Sequence, residues 1–241
     1  MNINIKTNLK KINTLLSVSA LIFASSQVHA QDLSITVTNL TQGLHFTPII
    51  TAAHASDDHI FMVGSTATAE LQAMAEGGDI SGLVTMLSNA DADTNENPAG
   101  GFLAPGMSTT YMLTNEAANT HLSMTTMILP SNDGFVGLDG WEIPTEAGTY
   151  TIMLNAYDAG TEANNELING GGAPGVLGIP GAPSGGSGTD GSGVTDTESN
   201  TMIHIHRGTI GDDDTSGGTS DLNNSIHRWL NPVAKLTVTI Q

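Results

Sequence analysis

An all-β fold, an antiparallel β-sandwich with one or two short helices inserted and a long Gly-rich loop, is the class this sequence predicts. Three observations carry the prediction. Short stretches alternate apolar and polar residues and favour β-branched side chains; Gly, Pro, Asn or Asp bounds each stretch; and apolar residues fall three and four apart in only two places.

The elements follow in chain order. Residues 1–30 read as a cleavable signal peptide. Lys6, Lys10 and Lys11 open it, an apolar run from Leu15 to Ala24 follows, and Val28-His29-Ala30 forms a cleavage site. The apolar run is shorter than the roughly 20 residues that span a bilayer. Leu33-Ser34-Ile35-Thr36-Val37-Thr38 then alternates as a half-buried strand does. Phe46 to Ala53 and Ile60 to Val63 read as further strands, with Pro48 marking an edge or bulge. Helical spacing takes over from Thr68 to Met74 and from Ile80 to Leu87, broken at Gly77-Gly78, with Asp79 as the expected N-cap of the second helix. Strand signals return at Ser108 to Leu113, Leu122 to Leu129, Tyr150 to Leu154, Met202 to His206 and Ala234 to Ile240. From Gly170 to Gly193, 11 of 24 residues are glycine. Such a stretch buries little apolar surface, so residues 169–200 are expected to form a flexible loop inside one domain, 31–241.

Charge narrows the function. The chain has 6 basic and 24 acidic residues, a formal charge of −18; without residues 1–30, Arg207, Arg228 and Lys235 face all 24 acids, a charge of −21. That excess repels nucleic acid and anionic lipid and attracts cations. The 0 cysteines leave an exported chain without disulfides, so its core must suffice or a metal must help.

Three acidic clusters stand out. Asp91 to Glu96 begins like a calcium loop, yet Glu96 occupies the position that needs Gly and Phe102 the one that needs a bidentate Glu. It reads as a solvated loop. Asp212-Asp213-Asp214 reads as a charged turn. The third cluster combines Asp133 with Asp158 and Glu162.

Pro130-Ser131-Asn132-Asp133-Gly134-Phe135-Val136-Gly137, followed by Tyr157-Asp158-Ala159-Gly160-Thr161-Glu162, resembles the paired signature of the spondin N-terminal domain family, the F-spondin and mindin module. Ile226-His227-Arg228-Trp229-Leu230-Asn231-Pro232-Val233-Ala234 resembles the last block of its bacterial exported single-domain branch. The resemblance implies a C2-like β-sandwich, and a calcium ion held by Asp133, Asp158 and Glu162. Gly134 replaces the usual aromatic residue, and Glu162 replaces an Asp, adding one methylene while remaining a hard oxygen donor. Calcium takes about six to eight oxygens, and sites weak enough to have dissociation constants of about 10⁻⁴ to 10⁻³ M still fill outside the cell.

His204 and His206, two apart on a strand, share a face where they could approach a transition metal; a structural role is the simpler expectation. Trp229 is expected to pack and Arg228 to pair with an acid, while Met62, Met74, Met86, Met124 and Met127 read as core filler. No nucleophile-elbow, H-E-x-x-H or phosphate-cradling pattern is present. The expected protein is therefore not an enzyme but a secreted or periplasmic calcium-binding adhesion or recognition module. Its partner would be a cell-surface, matrix or polysaccharide component, with no nucleic acid partner and no transmembrane segment after cleavage. A calcium-dependent hydrolase of an extracellular polymer and a structural matrix protein are the alternatives.

Overall fold

A computed structural model describes residues 31–241; the expected signal peptide lies outside the described residues. In chain order the elements are β1 (Gln31–Asn39), β2 (His45–Phe46), β3 (Ile50–His54), α1 (Ala69–Gly77), α2 (Ser81–Asn89), β4 (Asp93–Glu96), β5 (Ser108–Asn115), β6 (His121–Leu129), β7 (Gly134–Glu142), β8 (Gly148–Asp158), β9 (His204–Ile205) and β10 (Ala234–Ile240).

Alternation works as expected in β1 and β10. Leu33, Ile35 and Val37 of β1 are buried, as are Leu236, Val238 and Ile240 of β10, while the residues between them face outward. The two ends of the described chain pair antiparallel, Ile35 opposite Val238, because both strands carry the same apolar period. β3 and β6 are instead buried along nearly their whole length. One side of this region joins the main core of Leu33, Phe46, Val136 and Leu236. The other packs under α1 and α2, where Leu71, Met74 and Leu83 meet Ile50, Met127 and Phe135.

The helices lie where the spacing places them. Thr68 caps α1 by accepting a hydrogen bond from the Leu71 backbone N–H at 3.2 Å, and Gly78 ends it in the left-handed region at φ 73°. Asp79 is not the N-cap of α2. Ile80 holds that position without a side-chain cap, and Asp79 accepts from the Ser81 N–H at 2.9 Å as a turn residue. Ile60 to Val63 forms no strand, although Ile60 and Phe61 are buried. Met62, expected in the core, is exposed.

The hydrogen-bonded order is β4-β3-β6-β7-β8-β10-β1-β5 in a single ten-stranded sheet, with β2 on β6 and β9 on β8. The sandwich expectation is corrected here in one respect. Pairing runs continuously instead of dividing into two sheets, and it curls until the edges approach, Asn95 Nδ2 of β4 donating to the Met112 carbonyl of β5 at 3.1 Å. The result is close to a barrel.

Between β8 and β10 the chain makes a long excursion whose only strand is β9. Carboxylates hold it. Glu166, itself at φ 59°, accepts from the backbone N–H groups of Ile210 at 2.7 Å and Gly211 at 2.8 Å and from the Ser220 hydroxyl at 2.6 Å. Asp221 accepts from Ile168 N–H at 2.8 Å and Gly191 N–H at 2.9 Å. Within the Gly-rich stretch, Gly175 N–H donates to Glu76 at 2.6 Å, and Ile179 is fully buried. Replacing Glu166 with Ala leaves the part-buried Ile210 and Gly211 N–H groups and the buried Ser220 hydroxyl without their acceptor, each costing about 1 to 3 kcal/mol. Glu166→Ala is accordingly expected to lose roughly 3 to 5 kcal/mol in denaturant unfolding, and an exposed control such as Glu146→Ala less than about 0.5 kcal/mol.

Candidate functional site

The start of β7 and the end of β8 bring the two acidic motifs together. Gly134 and Asp158 are direct partners across the ladder, so Asp133 sits one residue before the paired strand while Asp158 closes its neighbour. Glu162 follows in the turn beyond β8. That turn folds back onto Asp133: Thr161 N–H donates to Asp133 Oδ2 at 2.8 Å, Glu162 N–H at 3.1 Å and the Thr161 hydroxyl at 3.2 Å. The position after Asp133 has little room, since a side chain at Gly134 would meet Ser131 Oγ at 2.8 Å and the His206 ring at 3.2 Å. Here the aromatic residue usual in the resembled family has no space.

All three acids are buried, and their oxygens divide into engaged and unengaged sets. Asp158 Oδ1 accepts from Gly160 N–H at 2.9 Å, and its Oδ2 from Asn164 Nδ2 at 2.7 Å. Glu162 Oε2 accepts from Gly178 N–H at 3.1 Å and Asn132 Nδ2 at 3.2 Å. Asp133 Oδ1 and Glu162 Oε1, by contrast, are buried with no hydrogen-bond donor at all. Burial opposes ionisation at every one of them. It raises the Asp133 pKa well above the usual carboxylate range, helped by the neighbouring charge of Asp158, and it raises Asp158 as well. Glu162 is pushed up to about 7, chiefly by burial, against the lowering effect of its hydrogen bonds from Gly178 and Asn132.

These unpartnered buried oxygens fit a hard divalent cation in charge and donor chemistry. Among the described residues, no three His, Asp or Glu side chains converge into a ready metal cluster. The acids stand as neighbours held open by their separate hydrogen bonds.

The two histidines do share a face, and both approach Asp158 at 3.9 Å. Their hydrogen bonds define different roles. Gly208 N–H donates to His206 Nδ1 at 2.9 Å, so the neutral ring carries its proton on Nε2, which points at Asp158 Oδ2. Burial lowers the His206 pKa to about 3, keeping that ring neutral. His206 thus turns its N–H toward the acid at 3.9 Å, too far for a hydrogen bond, so that Nε2 is itself buried without a partner. His204 Nδ1 lies 2.8 Å from the Met202 carbonyl and donates to it. Trp229 is buried against the His206 ring at 4.8 Å and donates from Nε1 to Thr209 at 3.2 Å. Arg228 makes no ion pair among the described residues.

The other two acidic clusters have structural partners. Asp93 starts β4 and accepts from Glu116 N–H at 2.6 Å and Asn119 Nδ2 at 2.8 Å. Asp212 closes its own loop by accepting from Thr219 and Ser220 N–H groups at 2.8 and 2.9 Å. Sequence reading missed the amides around the central site, Asn132, Asn164 and Asn165. Their signal was present as Asn beside each acid, but only folding shows which ones turn inward.

Stability should report these buried acids. A folded pKa raised above the unfolded one favours folding while the group is protonated, and that contribution disappears as pH rises through the folded value. For Glu162 the window runs from the ordinary glutamate value of 4.5 to about 7. In chelator, melting temperature is expected to fall across that window, and Glu162→Gln to flatten the fall; an unaltered pH profile in the variant would contradict the assignment.

The family model for Spondin_N matches residues 23–166, more than half of the chain and all three acids. No curated protein matches the chain.

Proposed function

The chain belongs to the spondin N-terminal domain family, and on that premise we propose that it is an exported, calcium-binding recognition module. One observation carries the calcium reading: Asp133 Oδ1 and Glu162 Oε1 are buried carboxylate oxygens without donors, and Asp133 feels the charges of both Asp158 and Glu162. Among the described residues no ammonium or guanidinium pairs with these acids, the nearby Arg207 donating instead to the Asn164 carbonyl at 3.3 Å, and a divalent cation would supply the missing positive charge.

Asp133, Asp158 and Glu162 would hold the ion. Thr161 and Glu162 N–H groups fix Asp133, Gly160 and Asn164 fix Asp158, and Asn132 with Gly178 fixes Glu162. The Gly178 bond ties the Gly-rich segment to the same carboxylate. Occupancy would therefore set the position of nearby loops, which is how a recognition surface becomes calcium-dependent. In this reading the partner is an extracellular or envelope protein or glycan, and residues 1–30 direct export. No described helix is long and apolar enough to cross a membrane. The family is a recognition and adhesion type of domain, consistent with a non-enzymatic role.

Melting with calcium or with chelator tests the site. At 10 mM calcium and a dissociation constant of about 10⁻⁴ to 10⁻³ M, binding to the folded state alone adds about 1.4 to 2.7 kcal/mol. For a domain of this size that raises the melting temperature by roughly 3 to 10 °C, more at pH 8 than at pH 5. Asp133→Asn keeps an acceptor for the Thr161 and Glu162 N–H groups while removing charge. It is expected to melt no lower than the parent in chelator and to lose the calcium shift. No calcium response in the parent protein would refute the reading.

A further inference from the structure

β7 and β8 pair only from Gly134 to Gly137 against Asp158 to Asn155, and then part. The separation has a local cause. Leu122 pairs with Trp141 but Met124 with Leu138, so β7 carries one extra residue there, and Gly140 turns within it at φ 62°. Such a bulge bends its strand away from its neighbour. Beyond the fork β7 stays on β6 and β8 on β10, each by its far side, so no strand covers the side of β8 from Gly148 to Leu154 that faces away from β10.

The direction of the free groups follows from their neighbours. The Leu154 and Ala156 carbonyls accept from Val233 and His206 N–H groups at 2.9 and 3.1 Å, both on the side of β8 away from β7. Alternation along the strand therefore turns the N–H and carbonyl groups of Met153, Thr151 and Thr149 to the open side. No strand or loop among the described residues bonds to them there.

Apolar surface flanks this edge on both faces. On one, Met153 and Val63 are each 58% exposed, and with Phe61 and Tyr157 they line a cleft of about 280 Å³ at the fork. On the other, Leu138, Trp141, Tyr150 and Ile152 pack on the main core yet remain half-buried, the Trp141 and Tyr150 rings meeting across the gap at 6.0 Å.

Sheet edges are ordinarily blunted by charge, proline or a bulge. β4 carries Asp93 and Glu96, and Asn95 meets the Met112 carbonyl of β5. β7 has its bulge, with Asp139 engaged by His59 at 2.6 Å and Ile60 N–H at 3.0 Å. Gly148 to Leu154, Gly-Thr-Tyr-Thr-Ile-Met-Leu, has none of these devices.

Free backbone groups between two apolar surfaces suit an extended peptide, which supplies the missing ladder and alternate side chains for each face. Charge defines its kind. Glu142 and Glu146 stand exposed at the closed end of the fork, without ion pairs among the described residues. Segments 59–65 and 137–157, which line the fork, contain no Lys or Arg, and Lys235 of β10, opposite Met153, is the base in register with this edge. A second copy of a chain at −18 brings repulsion to such a contact.

We propose that the free edge of β8 takes up, as an added strand, an extended segment of a partner protein that is apolar and β-branched in its middle and basic where it meets Glu142 and Glu146. This surface is separate from the three buried acids. The probe is the peptide KKVTVTVKK, acetylated and amidated, with lysines at both ends to serve either strand direction. Amide hydrogen exchange of the whole protein is measured with and without peptide, in calcium and in chelator, beside a thermal melt. Saturating peptide is expected to slow exchange at Thr149, Thr151 and Met153 at least about tenfold. A copy N-methylated at its valines and threonines is expected to give no protection, and DDVTVTVDD to bind at least about tenfold more weakly. Met153→Lys, which places charge on the edge, is expected to weaken binding of KKVTVTVKK at least about tenfold, whereas Val176→Lys, at another exposed apolar position, leaves it unchanged. Thr151→Pro, which removes one edge donor, is expected to act likewise; should it melt early, the solvent-facing Met153→Lys decides. Lack of protection by KKVTVTVKK overturns the proposal, as does equal binding by the N-methylated or acidic-ended peptide or by Met153→Lys. Protection of the same amides that grows with protein concentration in the absence of peptide overturns it in favour of a second copy of the chain.

Discussion

Buried carboxylates accepting backbone N–H groups are the interaction on which the rest of this structure depends. Between β8 and β10 the chain runs from Ala159 to Val233 with only the two residues of β9 in a strand. Its amides must find acceptors elsewhere. Glu76, Glu162, Glu166 and Asp221 provide them, each reaching donors distant in sequence. Charge-assisted bonds of this kind are about twice as strong as neutral ones. They can do what disulfides do elsewhere, fixing irregular loops over a modest core.

Such an arrangement has an electrostatic limit. A carboxylate tolerates burial when enough donors surround it, as Glu166 shows with Ile210, Gly211 and Ser220. Asp133 and Glu162 each stop one oxygen short, with Asp158 as the charged neighbour of Asp133 and Glu76 as that of Glu162. Protons can relieve the resulting repulsion, which is why burial raises the pKa values of all three acids. A divalent cation relieves it at higher pH without protonation. In the proposed reading the same residues would connect pH, calcium and loop position, with the hydrogen bond from Gly178 N–H to Glu162 as the link into the Gly-rich segment.

Much of the sheet was readable from local pattern. β1, β10 and most of β6 follow apolar periodicity, and Gly77-Gly78 marks the break between the helices. β7 was hidden because Gly134, Gly137 and Gly140 interrupt its apolar run. The fold requires at least one of them: a side chain at Gly137 would meet the Phe61 ring at 2.5 Å. That ring belongs to the segment misread as a strand, whose burial arises from packing across β7 and leaves no ladder. β4 was masked by its acids, which look solvated in sequence although Asp93 anchors Asn119. At the cation site, residue types announced the three acids. Which oxygen of each lacks a donor follows only from the path of the loop, as does the tautomer that makes His206 a donor.

Strand pairing also explains where the acids are not. Like charges directly opposite one another destabilise a sheet, whereas β-branched residues and cross-strand hydroxyl pairs support it. A strongly acidic chain that curls four neighbouring strands with one face outward meets that constraint at every ladder position. Placing carboxylates there would set them against each other in ranks where Lys235 is the one basic residue to intervene. Threonine avoids the conflict, satisfies β propensity and bonds to its own kind across the ladder. Most of the acids collect instead in turns and loops, where backbone N–H groups are available to them, although Asp32 faces outward on β1 and accepts from the Thr114 hydroxyl at 2.6 Å. A single compositional bias thus produces two contrasting regions, a charged and loop-bound end and a regular sheet face whose charges are confined to Asp32 and Lys235.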